Sequence, residues 1–523
     1  MKILFVSAEV GPYVSVGGLS QVMYFLPRAL MAAGHDVHII TPQYGTMITK
    51  TPNGKPLKLQ KEIEDLRVPN HHCVTEDVPE RDYLPCKINK RRGTKTEPTV
   101  HFIENKEYFH LRANVFGYKD DHTRFALLSK ACLEWLRVMK KPTKSGKSGW
   151  FPDVIHCHDW HTGYVMPLAR RDERYKDLLI STPIVYTIHN LKFQGNMDFR
   201  YLPSGEQDDK HTPLLPLLAS KLLYQNALLR GVYYADSVNT VSPTHAIEML
   251  TPQYGEGLDQ DLQDLRGKIT GILNGIDTQE FNPATDTIIK KNYTDKTAKG
   301  ARAINKQDLQ KQFALPQKKQ AFVIAISGRI GGQKGWELII RALPHLLSYD
   351  LDIQVIVLGD GEETYKQQLR ALQQVYPLQL GLHLRPNFRL PRKLFAGADV
   401  VLMPSNFEPG GIVALEALRY GAVPLVRRTG GLSDIVQPFD AKTQKGNGFT
   451  FDQKDPWVLF GKIIEAYTFY RQPAVWKRLV QNCMHCDFSW NHVAREYEDL
   501  YRDTITERKR AIMASPHPAY TIK

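Results

Sequence analysis

Two glutamates, Glu408 and Glu416, stand eight residues apart in the segment 404–432, PSNFEPGGIVALEALRYGAVPLVRRTGGL, with Gly410 and Gly411 between them. The glycines precede an apolar-periodic run (Ile412, Val413, Leu415, Leu418), which predicts a helix starting at the break. At the helical rise that spacing spans about 12 Å, beyond the roughly 5–9.5 Å at which two carboxylates flank one glycosidic bond. The pair suits one elongated ligand held at both ends, a sugar near Glu408 and a ribose near Glu416. The helix N-terminus would favour a phosphate between them. Capping of a glycine-rich helix start is the bland reading of the same glutamates.

Three further motifs follow predicted strands. Arg329 and Lys334 lie five apart on the turn Ser327-Gly328-Arg329-Ile330-Gly331-Gly332-Gln333-Lys334-Gly335, where two cations can clamp a diphosphate leaving group. The alternative is a basic surface turn, and no G-x4-G-K-[ST] makes it a P-loop. Ser15-Val16-Gly17-Gly18-Leu19 offers backbone amides to a phosphate, although a tight strand–helix turn explains the glycines equally well. His156-Cys157-His158-Asp159-Trp160-His161-Thr162-Gly163 has metal-ligand residue types without metal-ligand spacing, so no metal is expected. Polar residues capping a helix explain it as readily.

These motifs need elements to hold them. At 523 residues the chain exceeds one ordinary core, so two large domains are expected. KILFVSAE, GGLSQVMYFLPRALMAAGH and VHIITP read as strand, helix and strand, the opening of a parallel sheet. Polar, basic sequence at about 45–98 reads as a long loop or insertion with little core of its own. DVIHCH, IVYTIHN, SVNTVSP and ITGILNGID complete a first domain, residues 1–280. A linker with one helix leads into a second, 281–487, through QAFVIAISGRI, IQVIVLGDGE and DVVLMPS. FSWNHVAREYEDLYRDTI is an amphipathic helix within a final segment, 488–523. Sheets of this kind bind ligands at the carboxyl ends of their strands, where the motifs fall.

Composition narrows the class. No run approaches the ~18 apolar residues of a membrane span, and the chain opens on a strand without a signal-like region, so no membrane partner is expected. The cysteines are scattered; Cys483-Met-His-Cys486 has no second pair for zinc, and a reducing, cytoplasmic compartment is expected. The net charge of +13 is concentrated in runs such as KINKRRGTK at 87–95 and ERKR at 507–510, which read as solvated loops. No aromatic residues interleave them, so no nucleic acid is expected, whereas a positive field would attract an anionic small substrate.

Together the motifs resemble the glycogen and starch synthase family of bacteria and plastids, retaining GT-B glycosyltransferases. Glu408 and Glu416 match its E-x7-E region, with Gly410 in place of the cysteine of E-P-C-G. The Arg329–Lys334 turn matches S-R-L-x-x-Q-K-G with Gly328 as an extra glycine. His156–Gly163 matches H-x-H-D-W-H-x-G, and Thr187-Ile188-His189-Asn190-Leu191 with Phe193-Gln194-Gly195 matches T-[IV]-H-N-L…[YF]-Q-G. Asn274-Gly275-Ile276-Asp277 resembles N-G-[IV]-D, and Thr429-Gly430-Gly431-Leu432 a second glycine turn. Phe388 and the pair Asp120–Asp121 stand where the family keeps an aromatic and an aspartate. Ser15 replaces the lysine of K-x-G-G-L. The matches run in family order from residue 3 to about 501.

The resemblance implies an α/β GT-B fold, two Rossmann-like domains facing a central cleft, with the C-terminal helix crossing back to the N-terminal domain. It implies glucose transfer with retention from ADP-glucose or UDP-glucose to the non-reducing end of an α-1,4-glucan or maltooligosaccharide, without a cofactor. His161, Glu408, Arg329 and Lys334 would carry the chemistry. Ser15, Gly17, Gly18, Asn274, Gly328, Phe388, Glu416, Thr429 and Gly430 would hold the donor. Asp120, Asp121, His189, Asn190 and Gln194 would line the acceptor side. The enzyme is expected as a monomer or small homo-oligomer, in cytoplasm or, for a mature eukaryotic form, plastid stroma. A glucan-binding or regulatory paralogue with weakened catalysis is the alternative that Ser15 raises.

Overall fold

Strands covered on both faces read as unbroken apolar runs, and β1 (Lys2–Val6), KILFV, is one. In the computed structural model, which describes residues 1–50, 55–71, 82–141, 149–349, 351–387 and 389–514, it lies inside a nine-stranded sheet. The other strands are β2 (Asp36–Pro42), β3 (Gln60–Pro69), β4 (Tyr83–Arg91), β5 (Thr99–Glu104), β6 (Val154–His158), β7 (Ile184–Ile188), β8 (Ser237–Thr240) and β9 (Ile269–Gly271). Their order is β3-β4-β5-β2-β1-β6-β7-β8-β9. From β1 the chain builds outward to β2 on one side and to β6 on the other, with parallel pairing in both directions. The strand order therefore reverses at β1/β6, the point at which such sheets take ligands.

The polar stretch read as a loop or insertion supplies β3 and β4, which pair antiparallel with each other and extend the sheet through β5. Charges hide the strand signal. In β4, YLPCKINKR, the polar Lys87, Asn89, Lys90 and Arg91 break up the apolar run around Cys86 and Ile88, and Lys87 and Asn89 bond the Glu64 and Gln43 side chains. Lysines and glutamates on an edge strand also block edge-to-edge association.

The chain falls into two compact units, Met1–Val241 with Ala246–Ile272 and Trp490–Lys523, and Ser242–His245 with Leu273–Ser489. The helix Trp490–Ala514 thus belongs to the first unit. Its apolar stripe, Trp490, Val493, Ala494, Tyr497 and Tyr501, recurs at helical spacing and is buried. Each large side chain on it contributes about 1.5–3 kcal/mol. Tyr501 OH meets His156 Nδ1 on β6 at 2.7 Å, and Glu498 pairs with His35 just before β2 at 2.5 Å, so the helix docks on the first unit through polar contacts as well.

The second unit has a six-stranded, all-parallel sheet. Its strands are β10 (Phe322–Ser327), β11 (Ile353–Leu358), β12 (Leu380–His383), β13 (Val400–Met403), β14 (Val423–Arg427) and β15 (Phe449–Phe451). The order is β12-β11-β10-β13-β14-β15, so here the reversal lies between β10 and β13.

Candidate functional site

Both reversal points carry the residues singled out from sequence. In the second unit the Ser327–Gly335 turn leaves β10, and the Pro404–Gly411 loop leaves the neighbouring β13. Lys334 Nζ on the first is ion-paired with the Glu408 carboxylate on the second, and Ser405 Oγ reaches the same carboxylate at 3.2 Å. Arg329 is exposed, its guanidinium without an ion pair among the described residues. The grouping leaves one cation free and the other tied to a carboxylate, a geometry able to receive an anion by exchange. Gly335 takes φ +71°, and its bare Cα lies against the Pro404 carbonyl, where any side chain would collide.

Glu416 is buried on the helix Ile412–Arg419. Burial pushes its carboxyl up to about 7; the Arg392 guanidinium opposes this and Glu280 adds to it. Arg392 is itself held by Glu280 at 2.6 Å. Because the folded form holds a proton that the unfolded chain releases near the usual 4.5, the group lowers stability as pH rises from about 4.5 to 7. Glu416→Gln should therefore stabilise the ligand-free protein at pH 8 by up to about 3 kcal/mol. The gain should vanish at pH 4, where both side chains are neutral. Thermal unfolding at the two pH values checks this, and an equal gain at both would reject it.

Thr429 and Gly430 follow β14. Gly430, at φ +44°, packs directly on the Glu408 backbone, and the Gly431 amide donates to the carbonyls of Glu408 (3.0 Å) and Pro409 (2.9 Å). This glycine turn thus sets the backbone beneath Glu408. Asn274 is buried, with Oδ1 lacking a partner among the described residues. Phe388 lies outside the described residues.

In the first unit, residues after β1, β6 and β7 converge. The Glu9 carboxylate, 4% exposed, accepts the backbone amides of Val16 (2.8 Å) and Gly17 (3.0 Å). Burial raises its pKa, and those two amides hold it down. The amides that the glycine loop was expected to offer a phosphate are thus partly used by an internal anion; Gly18 remains exposed at the start of the helix Gly18–Ala32. Ser15 is exposed, its Oγ 2.8 Å from Ser20 Oγ. Glu9 was absent from the candidates, although its position just past the first strand was a signal.

His161 is buried between Phe125, Phe116 and Trp160, ring centroids 4.4–4.7 Å away. Burial, with Arg124 and His189 adding to it, pushes its pKa down to about 3, so the imidazole is neutral. Asp159, in the left-handed region at φ 55°, accepts the His189 amide at 2.7 Å and that of Asn190 at 3.4 Å. His158 Nδ1 lies 2.9 Å from His189 Nε2. The loop after β7 is thereby fastened to the loop after β6.

Other acceptor-side candidates are engaged internally. Asp121 is buried in an ion pair with Arg124 and accepts the Gly117 amide at 2.8 Å. Asp120, less buried, pairs with Arg112 at 2.6 Å. Gln194 donates to the Glu256 carbonyl at 2.8 Å and accepts from Asn226 at 2.8 Å. Among the described residues no cluster of histidine, cysteine, aspartate and glutamate is placed to hold a metal ion, and no helix is long and apolar enough to cross a membrane.

Burial also holds His156 and His158 well below the ordinary histidine pKa. The unfolded chain binds protons at these positions and at His161 below about 6.5 while the folded chain does not, so stability falls as pH drops through 6.5. Each group removes about 1.4 kcal/mol per pH unit there. With His189, which burial pushes down to about 3, these groups outweigh the opposing Glu416 and Asp159, whose carboxyls burial raises to about 7. The midpoint of thermal unfolding should therefore fall between pH 7 and 5.5; an unchanged or rising midpoint would reject a net histidine effect.

Residues 2–264 match the family described as "Starch synthase catalytic domain", and residues 307–478 match "Glycosyl transferases group 1". A glycogen synthase of Desulforamulus reducens is 36% identical over 508 residues, 97% of this chain and 99% of its own length. Among solved structures, the catalytic domain of starch synthase IV from Arabidopsis thaliana, bound to ADP and acarbose, is similar with TM-score 0.79 and 31% identity, covering 96% of this chain and 99% of that one. Sucrose-phosphate synthase from Thermosynechococcus elongatus shares the fold, at TM-score 0.57 and 17% identity over 97% of this chain and 99% of its own.

Proposed function

Because the chain belongs to the glycogen and starch synthase family of GT-B glycosyltransferases, we propose that it transfers glucose with retention from ADP-glucose to the 4-hydroxyl at the non-reducing end of an α-1,4-glucan. The observation that carries this reading is the grouping of Arg329, Lys334 and Glu408 on two adjacent loops of one unit. The starch synthase neighbour, bound to ADP and acarbose, supports the choice of nucleotide and acceptor.

The reaction breaks the bond between the anomeric carbon and the diphosphate oxygen, which leaves with the electron pair. Arg329 and Lys334 stabilise the charge that grows on that oxygen. Glu408 holds the glucose and Glu416 accepts the ribose hydroxyls. The acceptor hydroxyl attacks the short-lived oxocarbenium ion from the face the diphosphate leaves, and its proton passes to the diphosphate. His161 suits the anomeric region because a neutral ring does not repel a developing cation. Donation from Asn274, Gly328, Thr429 and Gly430, and from the loop at Ser15, Gly17 and Gly18, would complete the donor site. His189, Asn190, Gln194, Asp120 and Asp121 would shape the acceptor side. No cofactor and no metal enters this scheme.

The test is incorporation of labelled glucose into glycogen from ADP-glucose and UDP-glucose in parallel. Incorporation predominantly from ADP-glucose is the expected result. None from either donor, with glucan binding intact, would replace this reading by that of a non-catalytic glucan-binding paralogue.

A further inference from the structure

The cations and the carboxylate of the second unit sit on different loops, after different strands, and the pairing of β10 with β13 stops at Ala325 and Val401, before either loop begins. Their relative position depends on contacts between the loops themselves. One residue makes most of these. The Asn406 amide N–H donates to the Gln333 carbonyl at 2.9 Å, and its side-chain Nδ2 donates to the Gly332 carbonyl at 2.9 Å and to the Glu337 carboxylate. In return Gln333 Nε2 reaches the Phe407 carbonyl at 3.3 Å. From behind, the buried Arg427 guanidinium donates to the carbonyls of Ser405 and Asn406, both at 2.8 Å. Asn406 is two residues before Glu408, and Gln333 is adjacent to Lys334.

We propose that Asn406 is a positioning residue, clamping the loop that carries Glu408 to the turn that carries Arg329 and Lys334. Its side-chain Nδ2 is spent on the Gly332 carbonyl and the Glu337 carboxylate, so it acts through the loops. It sets the distance between the groups that hold the glucose and those that take the diphosphate charge, an inference that rests on the proposed transferase reading. A loop misplaced by about 1 Å costs a catalytic constellation up to roughly a hundredfold in rate.

Three variants of the full chain test the clamp, with kcat, donor and glucan KM, and thermal unfolding measured for each. Asn406→Ala removes both side-chain hydrogen bonds. Asn406→Asp keeps the shape but turns an acceptor toward the Gly332 carbonyl and the Glu337 carboxylate. In the double variant Asn406→Asp/Glu337→Gln, the glutamine amide can donate to the new carboxylate and restore one bond with reversed polarity. Both single variants should lower kcat about tenfold or more at unchanged glucan KM. The double variant should recover a substantial part of the loss caused by Asn406→Asp, which general loosening of the unit would not produce. Wild-type kcat in either single variant, or a double variant no better than Asn406→Asp, would overturn the clamp. Absence of transfer by the unaltered chain would instead overturn the reading on which it rests.

Discussion

Lys334→Ala and Glu408→Ala should each lower the rate of glucose transfer about 10²–10³-fold, the loss typical of removing one preorganised group that meets charge developing in a transition state. The two should differ in binding. Lys334 is tied to Glu408, and deleting the lysine removes a cation for the diphosphate. Deleting the glutamate releases that cation from its internal partner. ADP affinity, measured by calorimetry, should fall in Lys334→Ala and hold or tighten in Glu408→Ala, while transfer collapses in both. Because the two groups form one ion pair, the double variant should lose less than the sum of the single losses. Transfer at the wild-type rate in either single variant would remove that residue from the mechanism.

The second large effect is a gain. Ser15→Lys should lower donor KM about tenfold, since a hydrogen bond from a charged donor contributes about 1.5–3 kcal/mol against about 1 for a neutral one. Ser15 is exposed and, among the described residues, its hydroxyl is engaged only with Ser20. The nearest built-in charge on its loop is negative, the Glu9 carboxylate on the amides of Val16 and Gly17. A lysine there would supply the positive charge that the loop lacks. An unchanged donor KM would mean that the loop does not touch the diphosphate in this chain.

The strands and their motifs were legible because parallel strands buried on both faces leave continuous apolar runs, and because the glycines, arginine and lysine after β10 have few bland explanations in combination. The hairpin of β3 and β4 was hidden for the opposite reason. An edge strand needs only alternate apolar residues, and the lysines and glutamates between them dominated the composition of the stretch. Asp121 and Gln194 were expected to line the acceptor side. The structure adds internal hydrogen bonds at both: Asp121 accepts from Arg124 one helical turn on and from the Gly117 amide, and Gln194 donates to the Glu256 carbonyl and accepts from Asn226.

What the amino-acid order determined by itself was the class of protein: two α/β units, the family, and which short segments match its motifs. The units follow from local periodicity, and the family from the resemblance those motifs carry. Tertiary structure decided how the groups are used. That Glu9 occupies amides of the glycine loop, that Gly430 and Gly431 support Glu408, that Asn406 joins two loops, and that burial holds Glu416 near 7 and His161 neutral all depend on neighbours that only the folded chain brings together. Charge state and hydrogen-bond partnership are properties of an environment, and a linear sequence specifies that environment only after the strands have taken their order in the sheet.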